Sequence, residues 1–287
     1  MKKNLKKLVS LVLVVVLAMA MVACGSSEVE KDANAGSADQ LSTEQLFEKI
    51  KTTSTDVDGI TMSGNVDLVM KITASVDGVD AKAEMGINGT IEAKTSTEPQ
   101  ASYMKGKFNV NAMGQSQEME MENYAVANGD SMDVYSKEDG EWSYEEDDIS
   151  EYSGMLQGLQ SSLKDVSFAD IKEYCSDITS ELKKGNYTIV AKMDSKKLLE
   201  MAEDAGADSS SMGVDLSAIP DFTVIITVVV DAEKYLPQSM SVALDMDKFE
   251  LQGATYELKE CAIEFTIDSY DAVTITVPEE ALAAKNE

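Results

Sequence analysis

The chain has 287 residues, with 24 Lys+Arg against 52 Asp+Glu and a formal charge of −28. All 24 cations are lysines and there is no His, which removes His-based nucleophilic triads, His-ligated zinc or haem, and bidentate Arg clamps on phosphate. Beyond residue 23 the balance is 20 lysines to 52 acids, a net of −32, and a charge of that size repels nucleic acid and anionic lipid headgroups.

Residues 1–23 begin with Lys2, Lys3, Lys6 and Lys7 and continue as an apolar run from Leu8 to Ala20, broken only by Ser10. This is the pattern of a secretory signal peptide, too short for a span of roughly 20 apolar residues. Its end, Met21-Val22-Ala23-Cys24 followed by Gly25-Ser26-Ser27, resembles the lipobox of bacterial lipoproteins. The resemblance implies that Cys24 becomes a diacylglyceryl-modified N-terminus, anchoring the chain on the extracytoplasmic face of the plasma membrane. Simple secretion, with Cys24 removed, is the competing reading. Residues 24–41 are small, polar and acidic and are expected to form a flexible tether.

Folding is expected from Ser42. Leu41-Ser42-Thr43-Glu44-Gln45-Leu46 offers an N-cap, a capping box and a Leu41/Leu46 staple, and a short helix then presents Leu46, Phe47 and Ile50. From about residue 60 the period changes to two. Met62, Gly64, Val66, Leu68, Met70 and Ile72 alternate with polar residues, as do Val79 to Ala93 after Asp77-Gly78, predicting two long antiparallel strands joined by a tight turn. The alternation returns at Met104 to Val110, at Met119 and Met121, at Met132 and Val134, and at Trp142 and Tyr144. One face is apolar and the other charged, which predicts a sheet with one wet side.

The middle of the chain shows three- and four-residue spacing. Ile149, Tyr152, Met155, Leu156, Leu159 and Leu163, then Phe168, Ile171, Cys175, Ile178 and Leu182, predict two amphipathic helices. A strand at Tyr187 to Met193, a capped helix from Ser195 to about Ala205 and a loop over 206–218 follow. The last quarter predicts strands at Phe222 to Val230, at Ser239 to Met246, from Leu251 to Ile267 with a phase slip near Leu258, and at Val273 to Val277. Pro278 then opens a short helix through Leu282. The order gives one α+β domain over 42–287.

That order, with the Tyr235-Leu236-Pro237 turn and the closing run from Tyr270 through Val277-Pro278-Glu279-Glu280-Ala281, resembles the LolA/LppX-like superfamily, in particular its uncharacterised Gram-positive lipoproteins. The resemblance implies a strongly curved, open antiparallel half-barrel whose concave apolar face is covered by helices, with a cavity for acyl chains or another amphiphile. Ligand contacts that relatives make through Arg have no counterpart here.

The residues assigned to that cavity are Met62, Val66, Leu68, Met70, Met85, Ile87, Met104, Phe108, Met119, Met121, Met132, Trp142, Met240, Val242, Leu244 and Met246. Unbranched thioethers adapt to variable apolar shapes, yet the same residues serve equally as ordinary core. Few aromatics among many Met, Ala and Gly favour incomplete filling. Trp142 either lines the cavity mouth or anchors a strand end. The run Glu145-Glu146-Asp147-Asp148 lacks the spacing of a calcium loop and reads as a solvated loop. Cys175 and Cys261, both at apolar positions, either pair or remain buried thiols.

No catalytic residue, metal ligand or cofactor is expected. The expected partners are the plasma membrane, through the lipidated N-terminus, and a lipid or amphiphile. Nucleic acid is excluded as a partner and protein partners are unassigned. The alternative is a structural lipoprotein with a filled core, whose acidic surface meets cell-envelope partners.

Overall fold

The computed structural model describes residues 40–54, 57–76, 79–112, 114–138, 140–148, 168–197, 221–251 and 254–285. The signal segment, Cys24, nearly all of the tether, the Asp77-Gly78 turn, the predicted helix over Ile149–Leu163, the end of the helix from Ser195 and the loop 206–218 lie outside them.

Helix α1 (Thr43–Ser54) starts where its capping box requires. The Gln45 N–H donates to the Ser42 hydroxyl at 3.1 Å and the Ser42 N–H donates to Gln45 Oε1 at 3.0 Å, satisfying two of the N–H groups that a helix start leaves unpaired. Leu41 and Leu46 meet in one apolar cluster, as the staple requires.

The remaining chain is dominated by antiparallel strands: β1 (Gly59–Val76), β2 (Val79–Thr97), β3 (Gln100–Ala112), β4 (Gln115–Asn128), β5 (Ser131–Glu138), β6 (Glu141–Asp148), β7 (Asp177–Lys183), β8 (Asn186–Asp194), β9 (Phe222–Asp231), β10 (Pro237–Met246), β11 (Phe249–Leu251) and β12 (Ala254–Ser269). They form one open 12-stranded sheet in the order β6-β5-β4-β3-β2-β1-β12-β10-β9-β8-β7, with β11 beside β12. The first six strands make a meander of hairpins, and β12 returns to pair with β1, joining the two halves. The phase slip near Leu258 is a β-bulge: Val69 faces Glu260 while Met70 faces Leu258, leaving Lys259 as the extra residue.

The second central helix is shorter than its spacing predicts. Helix α2 (Phe168–Tyr174) stops before Cys175, and Ile178 and Leu182 belong to strand β7. A four-residue spacing satisfies both periods, and the strictly alternating exposure along Asp177–Lys183 shows that period two prevailed. What decides it is the next turn. Lys184 and Gly185, at φ 51° and 82°, make the two-residue hairpin that pairs Lys183 with Asn186, and both positive φ values match the right-handed strand twist.

Two further expectations are corrected. Val273 to Val277 forms no ladder; the chain passes Gly59, where a side chain would lie 2.9 Å from the Asp271 carbonyl and 3.2 Å from the Val273 nitrogen. It then delivers helix α3 (Glu279–Ala284) onto β5 and β6. Glu145 to Asp148 is the end of strand β6 rather than a loop.

Candidate functional site

Because side chains alternate across a strand, the unbroken register from β1 through β6 assigns each residue to a face. Gly64, Ile91, Gly106 and Met121 are opposite one another in turn, and Val66, Ile263 and Val242 continue the same face on the other half. Fifteen of the sixteen residues expected to line a cavity share this face. Trp142 does not: it pairs with Lys137, in the row next to the one that holds Tyr103, Tyr124, Tyr135 and Tyr144, on the opposite side of the sheet.

The apolar face has a buried strip and a half-buried border. Val66, Ile87, Phe108, Met240 and Val242 are buried together with Ile91, Val110, Met193, Val224, Ile263 and Phe265. Met62, Leu68, Met104, Met119, Met121 and Leu244 pack against that strip while remaining half-exposed. Met70, Met85 and Met246 are also half-buried, and Met132 is fully buried. The glycines on this face do not leave holes. A side chain on Gly64 would lie 2.6 Å from the Phe265 ring, and one on Gly106 would overlap the Phe108 ring, so the two aromatic rings occupy the space that the glycines vacate.

Helices α1 and α2 both reach this face. Leu46 and Ile50 of α1 pack with Tyr187 and Val230 on β8 and β9, Phe47 meets Phe168 at 5.6 Å, and Tyr174 and Cys175 pack against the main strip.

The reverse face was expected to be wet, and part of it is not. Tyr103 and Tyr124 lie 4.9 Å apart, and Tyr124 and Trp142 5.9 Å apart. Lys94 and Lys137 sit over the Tyr103 and Trp142 rings. Farther along, Tyr135 and Tyr144 pack at 5.3 Å beside helix α3. A groove of about 610 Å³ also opens on this side, lined by Val69, Lys82, Ala83, Glu84, Gly86, Asn88, Asn111 and Gly114. Sequence reasoning passed over Tyr103, Tyr124, Asn88 and Asn111. Their signal was present in the polar half of the alternation, where aromatic and amide residues stand among the charges.

Among the described residues no three His, Cys, Asp or Glu side chains gather as a metal site, and no helix is long and apolar enough to cross a membrane.

Over residues 42–286 the chain matches the model of a family of unknown function, DUF6612. The chain belongs to DUF6612. No curated protein matches this DUF6612 chain. Among solved structures it is similar to LprF from Mycobacterium bovis, at 12% identity over 83% of this chain and 96% of that one, with a TM-score of 0.38. It is also similar to a β-barrel-like DUF1849 protein from Brucella abortus, at 10% identity over 74% and 97% with a TM-score of 0.24. The LolA superfamily protein NE2245 from Nitrosomonas europaea matches at 10% identity over 83% and 96%, with a TM-score of 0.19.

The two cysteines of the DUF6612 domain are free thiols, each half-buried. Burial raises the Cys175 thiol to about 11. Burial likewise raises that of Cys261 to about 11, against a smaller opposing contribution from the Leu244 backbone. Thiols held this far above neutrality stay protonated and inert as nucleophiles.

Proposed function

We propose that this chain is a lipid-anchored extracytoplasmic protein that holds a lipid or other amphiphile against the apolar face of its open sheet, without catalysing a reaction. The observation that carries the reading is the border of half-exposed thioethers, Met62, Met104, Met119 and Met121, packed along a buried apolar strip. An acyl chain laid on such a border gains roughly 25 cal/mol per Å² of apolar surface removed from water, and flexible Met side chains adjust to its shape. Attachment through Cys24 would keep the domain at the membrane, the source of amphiphiles. A LolA/LppX-like half-barrel, with helices closing the face, is the architecture this reading assumes.

A second reading rests on the close seating of Phe265 and Phe108 against Gly64 and Gly106. A face filled in this way serves as the core of a structural lipoprotein whose acidic surface meets envelope partners.

Organic extraction of the full chain purified from its membrane, followed by mass spectrometry, separates the two. A stoichiometric non-covalent lipid, displaced by a fluorescent fatty-acid analogue, supports the carrier. An extract empty of lipid, with no saturable binding of the analogue, leaves the structural module. In the same expression system Cys24→Ser is expected to abolish fatty-acid labelling of the chain; unchanged labelling would refute the anchor.

A further inference from the structure

The reverse face of β2–β5 differs from the rest of this strongly acidic chain. By register it carries five lysines (82, 94, 105, 107 and 137) against five glutamates (84, 92, 118, 120 and 122) and Asp80, apart from the Asp133–Lys285 pair. Several of these charges neutralise one another directly: Lys105 meets Glu122 at 3.3 Å and Lys107 meets Glu120 at 2.8 Å. The face is therefore within one charge of neutral on a molecule of charge −28. Its other groups are of two kinds. Toward the β3–β6 end the rings of Tyr103, Tyr124 and Trp142 form a strip across the strands. Tyr124 is held in place by donating its hydroxyl to Glu122 at 2.9 Å. Toward the other end, Asn88 and Asn111 line the polar groove. From Asn111 to Tyr103 is eight strand steps of about 3.3 Å, or ~26 Å. Beside Tyr124, the Trp142 Nε1–H is shielded from solvent and has no acceptor.

Rigid amphipathic rings offer a flat apolar surface with a polar tip, and a primary amide both donates and accepts. A polymer that matches both has alternating C–H faces and hydroxyl rims and carries no charge. An acyl chain does not match the amide-lined groove, and an anionic polymer is opposed by the field of the whole chain and finds no Arg to grip it. We propose that the reverse face binds an uncharged glycan chain, its sugars stacked on Tyr103 and Tyr124 beside Trp142 and its hydroxyls held by Asn88 and Asn111. The site lies on the opposite side of the sheet from the apolar face, so this inference and the amphiphile reading can fail independently.

Trp142 is the only tryptophan in the chain, so its emission reports on the strip alone. The full chain in mild detergent is titrated with N-acetylglucosamine hexamer and with cellohexaose, and in parallel with polyglutamate of similar length. Saturable change in Trp142 emission with a hexasaccharide, and none with polyglutamate, is the expected result. Tyr103→Ala is expected to weaken binding at least about fivefold through lost stacking. Asn111→Ala, far from the ring strip and exposed, should weaken it with the thermal transition unchanged, which keeps the test decisive if the tyrosine variant folds poorly. Absence of saturable binding to either saccharide, preference for polyglutamate, or undiminished binding by folded Asn111→Ala would each overturn the proposal.

Discussion

Lys285 and Asp133 stand 152 residues apart in sequence, yet their side chains form a 2.6 Å ion pair. Asp133 is 9% exposed and also accepts from the Tyr144 hydroxyl at 2.9 Å and the Asn128 amide at 3.2 Å. Lys285 lies over the Tyr144 ring as well, 4.9 Å from its centroid. The pair thus fastens the last helix of the domain to the reverse face of β5 and β6.

The pH dependence follows from that pair. Burial pushes the Asp133 carboxyl up, but the hydrogen bonds from Lys285, Tyr144 and Asn128 outweigh it and hold the group below its ordinary value. A depressed carboxyl contributes stability above its unfolded pKa of about 3.9, and that contribution is lost as pH falls through the lower folded value. Lys285 is raised, chiefly by its hydrogen bond to Asp133, so its share persists until strongly alkaline pH. Lys285→Met should lower the thermal midpoint at pH 7 and, by raising the Asp133 carboxyl, flatten the acid loss of stability. An unchanged acid limb in a pH series of thermal melts would contradict this role.

The apolar face should separate core from border. Met240→Ala, 9% exposed within the strip, is expected to cost about 2–5 kcal/mol in denaturant unfolding. Met119→Ala and Met121→Ala, on the half-exposed border, should cost less and instead change retention of a fluorescent fatty-acid analogue. Equal large losses at all three positions, with no effect on the probe, would favour the filled core.

Overpacking tests the seating of the rings. Gly106→Val is expected to destabilise by roughly 1–3 kcal/mol, because a side chain there displaces the Phe108 ring. Gly106→Val combined with Phe108→Ala should recover part of that loss, a coupling that a double-mutant cycle measures.

The hairpin that ended the central helix offers a backbone test. Lys184 holds φ 51° and Gly185 φ 82°. Lys184→Asn is expected to stabilise by a few tenths of a kcal/mol, since Asn tolerates the left-handed region better. Gly185→Val should destabilise by about 1 kcal/mol or more. Both are read from unfolding midpoints.

Alkylation checks the thiols. With both near 11, the thiolate fraction at pH 8 is about a hundredfold below that of a thiol with a pKa near 9, so iodoacetamide should label Cys175 and Cys261 slowly in the folded chain and rapidly after denaturation. Labelling only after reduction would mean that the two are paired.

Much of the fold is legible in the residues alone because alternation and capping are local. The Ser42–Gln45 box, the long β1–β2 hairpin and the bulge near Leu258 are each written within a few neighbouring positions. Ile178 and Leu182 were not legible, since a spacing of four serves helix and strand alike and only pairing with β8, through the Lys184-Gly185 turn, selects one. For Trp142, alternation along its strand does not say which parity faces which side. That depends on register carried across six strands. The length of a face, the closeness of Lys285 to Asp133 and the gathering of Tyr103, Tyr124 and Trp142 are likewise properties of strand order. Burial and charge neutralisation act through space, and residues remote in sequence meet only when the sheet is assembled.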